Sequence, residues 1–184
     1  MNLANKVTMF RLLMIPVFVI SFILMGLSNA VPALIFIVAS LSDFVDGYIA
    51  RKYNMMTTFG KFMDPLVDKV LTQAAFIMLV GANKIQAWIV VVIVARELMI
   101  TGFRTIAASD GVTIAASKWG KYKTTFQMLA IIMYLLEDNV LASINIVHTY
   151  NLSAILLYIA LAFTIISAID YIAKNINVLD LENI

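Results

Sequence analysis

Four carboxylates dominate the chemistry this chain can do. They lie in Asp43-Phe-Val-Asp46-Gly47-Tyr-Ile-Ala50-Arg51 and its continuation Gly60-Lys-Phe-Met-Asp64-Pro-Leu-Val-Asp68. Asp43 and Asp46 are three apart, Asp64 and Asp68 four apart. On helices both spacings put the partners on one face. Each aspartate sits inside or beside an apolar run, where an ionised carboxylate is costly and marks an ion pathway, a proton relay or a metal site. Four acceptor-only groups on two neighbouring helices repel one another. A hard divalent cation with oxygen ligands is the simplest thing that holds them together. The plainer alternative is an ion lock, with Asp43 and Asp46 paired to Arg51 or Lys69. Such a lock does not need four carboxylates in one layer, and burying ions costs more than apolar packing. Gly47 and Gly60 fit either close helix packing or a ligand approaching the backbone.

The elements that must position these groups are hydrophobic. Of 184 residues, 62% are hydrophobic and 13% charged, against about a quarter charged in soluble domains. This composition points to a single all-α membrane domain over residues 1–184. Six apolar segments, near 7–27, 31–50, 62–82, 85–107, 122–136 and 152–173, are candidate transmembrane helices. The fifth is the shortest and is expected to extend back through residues 117–121. The first is read as a retained helix rather than a signal peptide, because no small-residue cleavage site follows it. A net charge of +2 gives no bias toward nucleic acid, and no nucleic-acid partner is expected. The absence of cysteine removes disulfides and thiolate metal sites from consideration. The single histidine, His148, lies far along the chain from the aspartates and is given no role.

Orientation follows from the basic residues. With the N-terminus in the cytoplasm and six crossings, both termini are cytoplasmic. Twelve of the thirteen Lys and Arg residues then lie on the cytoplasmic side, with Lys84 the exception. This is a strong positive-inside bias. The aspartates fall at the same end, facing the cytoplasm from a multi-pass membrane protein surrounded by membrane lipids. Arg11 and Arg96 lie a turn or more inside their apolar runs, where they either snorkel to the headgroups or line a polar cavity.

The run Asp43-x-x-Asp46-Gly47-x-x-Ala50-Arg51, then eight residues, then Gly60-x-x-x-Asp64-x-x-x-Asp68 resembles the signature of the CDP-alcohol phosphotransferases, with every position filled. The resemblance extends over the whole chain. It implies that a CDP-linked lipid, CDP-diacylglycerol, gives its phosphatidyl group to an alcohol and that CMP leaves. It also implies a metal site of Asp43, Asp46 and Asp64 with Asp68 at its edge, holding magnesium or manganese, often as two ions. By the same carry-over Asp68 is the general base, and Gly47, Ala50, Arg51, Asp46 and Gly60 lie against the CDP-lipid. Asn5, Thr8 and Arg11 resemble the family's N-terminal Asn-x-x-Thr-x-x-Arg pattern, which encloses the nucleotide. Family members are commonly homodimers, so a homodimer is expected. The chemistry agrees with this assignment. Paired metals neutralise a diphosphate leaving group, and a carboxylate must take the acceptor's proton.

The acceptor is read from other residues. The fourth segment carries Ala95-Arg96-Glu97-Leu98 and Thr101-Gly102-Phe103-Arg104, and the fifth opens Ser117-Lys118-Trp119-Gly120-Lys121-Tyr122-Lys123. Arg96 and Glu97 are a possible ion pair. Arg104, Lys121 and Lys123 repel one another unless an anion joins them, either a lipid headgroup or a phosphorylated acceptor. These stretches resemble the branch of the family whose acceptor is glycerol 3-phosphate. The nearest rivals are acceptors such as inositol phosphate, serine or phosphatidylglycerol. A small cation transporter is a more distant one, and it would call for inverted repeats, which are not evident.

Overall fold

The computed structural model describes residues 3–52, 58–109, 117–142 and 151–175, without the side chains of 3–6, 43–52, 58–65, Asp68, Ser109 and Lys118. Among the described residues there are six helices and no strand. They are α1 (Leu3–Met25), α2 (Val31–Lys52), α3 (Thr58–Gly81), α4 (Ala87–Ser109), α5 (Lys118–Glu137) and α6 (Leu152–Asn175). The all-α expectation holds there, and each of the six apolar segments falls on one helix.

The helix ends follow from local chemistry. α1 stops at Gly26, which adopts a left-handed φ of 66° that costs a glycine little. Asn29 Oδ1 accepts from the Val31 amide at 2.9 Å at the start of α2, where Pro32 occupies the first turn. α3 ends with Asn83 at φ 57°, and the Lys84 amide reaches back to the Leu79 carbonyl at 3.0 Å, closing the last carbonyls in a Schellman arrangement. Ser117 Oγ accepts from the Gly120 amide at 3.2 Å, an N-cap that starts α5 one turn before its apolar run. The backward extension of the fifth segment is thus observed.

Two stretches among the described residues, Val7–Met25 and Leu152–Asn175, are long and apolar enough to cross a membrane, whereas Val31–Ser42 and Lys69–Gly81 are shorter. Large apolar side chains face outward, among them Leu24 (76% exposed), Ile23 and Ile169. Such an exterior suits lipid rather than water.

The chain divides into two compact units, Met1–Ile85 with Ile131–Ser153, and Gln86–Ala130 with Ala154–Ile184. In the first, α1 packs against both α2 and α3. Phe18 is fully buried there, its ring 6.1 Å from Phe22 and 5.8 Å from Phe36. The turns of this unit are tied by polar bonds. Lys84 Nζ meets Asp138 Oδ1 at 2.7 Å, and Asn139 Nδ2 donates to the Leu27 and Leu135 carbonyls, both at 2.9 Å. In the second unit, Phe163 of α6 stacks on Trp119 and Phe126 of α5, with centroids 5.9 and 5.4 Å apart. Gln127 Nε2 donates to Thr164 Oγ1 at 3.3 Å, joining the same two helices in a buried position.

Candidate active site

The aspartates lie on the helices the first unit is built around. The α2 backbone is helical through Asp43 and Asp46, and that of α3 through Asp64 and Asp68. Each pair therefore occupies one face of its helix, about one turn apart. Gly47, Ala50 and Arg51 continue along α2, and Gly60 lies in the first turn of α3. The side chains of these eight residues and of Asn5 lie outside the described residues, as do the whole of His148 and of residues 110–116 and 176–184. The donor set itself fits a hard divalent cation. It offers four carboxylates, no thiolate, and the only histidine far along the chain, an all-oxygen choice that suits magnesium or manganese.

On α1, Thr8 is 1% exposed and Arg11 fully buried, three residues apart on one face. Of the two sequence readings of Arg11, snorkelling is therefore excluded. Its charge lies inside the unit, on a helix packed against the two that carry the aspartates. A guanidinium buried so completely requires anionic or strongly polar company.

In the second unit the cations are sorted by their partners. Lys123 is buried, and its Nζ is bonded to Glu97 Oε1. The same oxygen accepts from Arg96 Nη1 at 3.2 Å, confirming the anticipated Arg96–Glu97 pair. Arg96 Nη2 also donates to Ser167 Oγ at 3.0 Å. Lys123 therefore has an anion on the chain itself, and the repulsion argument applies to Arg104 and Lys121, which are exposed. Arg104 Nε donates to Tyr171 Oη at 3.2 Å. Four of these residues drew little or no notice in the sequence. Gln127, Thr164, Ser167 and Tyr171 are polar positions on otherwise apolar stretches. Ser167 and Tyr171 stand one turn apart on α6, a spacing that was the available signal.

The Glu97 cluster also makes a stability prediction. The side chains of Glu97 and Lys123 are 12% and 6% exposed, so Glu97→Ala strands buried cations and should cost about 3–5 kcal/mol. Lys84→Ala breaks a pair whose side chains are 27% and 34% exposed and should cost about 0–1 kcal/mol. Thermal unfolding in detergent compares them, and equal small drops in Tm would contradict the buried-cluster reading.

Among the described residues, the helical architecture, the apolar exterior, and four aspartates on two helices that pack against a third with a buried arginine define a membrane-associated class of protein. The chain belongs to the CDP-alcohol phosphatidyltransferase family, which matches residues 1–166. A Bacillus subtilis protein named CDP-diacylglycerol–glycerol-3-phosphate 3-phosphatidyltransferase is 37% identical over 99% of this chain and 99% of its own. A Haemophilus influenzae protein of the same name is 40% identical over 93% of this chain and 91% of its own. A Mycobacterium tuberculosis relative, 36% identical over 94% of this chain and 81% of its own, is named a probable phosphatidylglycerophosphate synthase.

Proposed function

We propose that this protein transfers the phosphatidyl group of CDP-diacylglycerol to glycerol 3-phosphate, releasing CMP and forming phosphatidylglycerophosphate. The observation that carries this reading is the end-to-end similarity to the Bacillus subtilis relative of that printed name, together with the complete aspartate signature.

The residues divide the work. Asp43, Asp46 and Asp64, with Asp68 at the edge, would hold one or two divalent ions. Bound there, the metal would neutralise the diphosphate so that CMP can leave. Asn5, Thr8, Arg11, Asp46, Gly47, Ala50, Arg51 and Gly60 line the CDP-lipid. Arg104 and Lys121 hold the acceptor's phosphate through charge-assisted bonds. Lys123 serves that phosphate less directly, since it is bonded to Glu97. Asp68 takes the proton from the acceptor's terminal hydroxyl as its oxygen bonds to the phosphatidyl phosphorus and the bond to CMP breaks.

The six helices act as one membrane domain, crossing six times with both ends and the active site cytoplasmic. The positive-inside bias of the basic residues supports this orientation, and the family match runs through both compact units. The working form is a homodimer, as in the family the signature resembles.

An acceptor panel with the purified protein, CDP-diacylglycerol and magnesium tests the reading. CMP should appear with glycerol 3-phosphate and at background with serine, inositol phosphate or phosphatidylglycerol. A preference for any of these others would move the protein to another branch of the family. No CMP with any acceptor would reject the transferase reading.

A further inference from the structure

We infer that Tyr171 is a positioning residue that presets Arg104 for a doubly charged phosphate and so helps make the enzyme selective for a phosphorylated acceptor. The inference rests on the assignment of Arg104 to the acceptor's phosphate. Tyr171 is 3% exposed and is fixed on two sides. Its ring meets Phe103 edge-on, centroids 5.6 Å apart at 82°, and Ile100 and Ile172 complete the apolar packing around it. Its hydroxyl accepts the Arg104 Nε–H at 3.2 Å, and the guanidinium carbon lies 5.4 Å from the ring centroid, within cation–π range.

This contact uses one edge of the guanidinium and leaves its far end. A guanidinium carries five N–H donors in a rigid planar fork. With Nε committed to the tyrosine, the two terminal nitrogens form the edge suited to two oxygens of one phosphate. An exposed arginine normally loses much rotamer freedom when it binds. Here part of that cost is met in advance, because the buried ring holds the plane and the hydroxyl holds the rotation. Ser167, one turn earlier on α6, does the same for Arg96, accepting from its Nη2 at 3.0 Å. α6 thus orients two cations of α4 through neutral side chains.

Steady-state kinetics on Tyr171→Phe, Arg104→Ala and the double variant test this. Tyr171→Phe keeps the ring and removes only the hydroxyl. It should raise the KM for glycerol 3-phosphate about two- to tenfold, the effect of one ordinary hydrogen bond. kcat, the KM for CDP-diacylglycerol and the Tm should stay close to wild type. Arg104→Ala should raise the glycerol 3-phosphate KM about ten- to a hundredfold, as for a charge-assisted bond. The double variant should match Arg104→Ala alone, because the tyrosine acts only through the arginine. If Arg104→Ala raises this KM and Tyr171→Phe does not, or if the two effects simply add, the positioning role is overturned. If Arg104→Ala leaves this KM unchanged, the phosphate assignment itself fails and the role built on it falls with it.

Discussion

Asp68→Asn should fold, bind CDP-diacylglycerol, and turn over about a hundred- to ten-thousandfold more slowly than the wild-type protein. The substitution keeps the shape of the side chain and removes its basicity. Asp68 is one helical turn from Asp64 on α3, a spacing that would let it share a site with the proposed metal ligands. The loss should therefore fall on kcat and leave CDP-lipid binding largely intact. Asp43→Asn is the contrasting variant, expected to weaken both binding and turnover because it would remove a proposed metal ligand. CMP release and equilibrium binding of CDP-diacylglycerol, measured on both variants, separate the two roles. Near wild-type turnover in Asp68→Asn would remove it as the base.

Exhaustive chelation should abolish turnover, and magnesium or manganese should restore it. Four carboxylates on two helices of one unit repel strongly at neutral pH, and bound cations would keep them ionised and together. Calcium, larger and more permissive in its geometry, is expected to bind and support little activity, because magnesium-type sites demand a tight octahedron. The measurement is CMP release after chelation and after each metal is added back. Full activity in chelator would reject the metal site altogether.

Much of the architecture was legible from apolar segment lengths alone. All six segments coincide with helices, and the backward extension expected of the fifth, the shortest of them, is observed. The aspartate signature was legible because its spacing is local, three and four residues along single helices. The polar pairs of the second unit were not. Whether Lys123 faces an acceptor or Glu97 depends on which face of α5 meets α4, a tertiary register that no local pattern encodes. Tyr171 reads in sequence as one more interfacial aromatic, and only its reach to Arg104 gives it another meaning. Arg11 illustrates the intermediate case. Its position within an apolar run allowed two outcomes, and burial removes snorkelling.

The ties at the turns of the first unit also set an order of assembly. Asn139 bonds to the Leu27 carbonyl across 112 residues, and Lys84 meets Asp138 across 54. At about 5–20 residues per second, the ribosome delivers Asn139 about 6–22 seconds after Leu27. α1, α2 and α3, with all four aspartates, are therefore synthesised well before the segment that braces their turns exists. The unit that carries the four aspartates is begun first, yet it cannot be closed until residues 131–153 have been made.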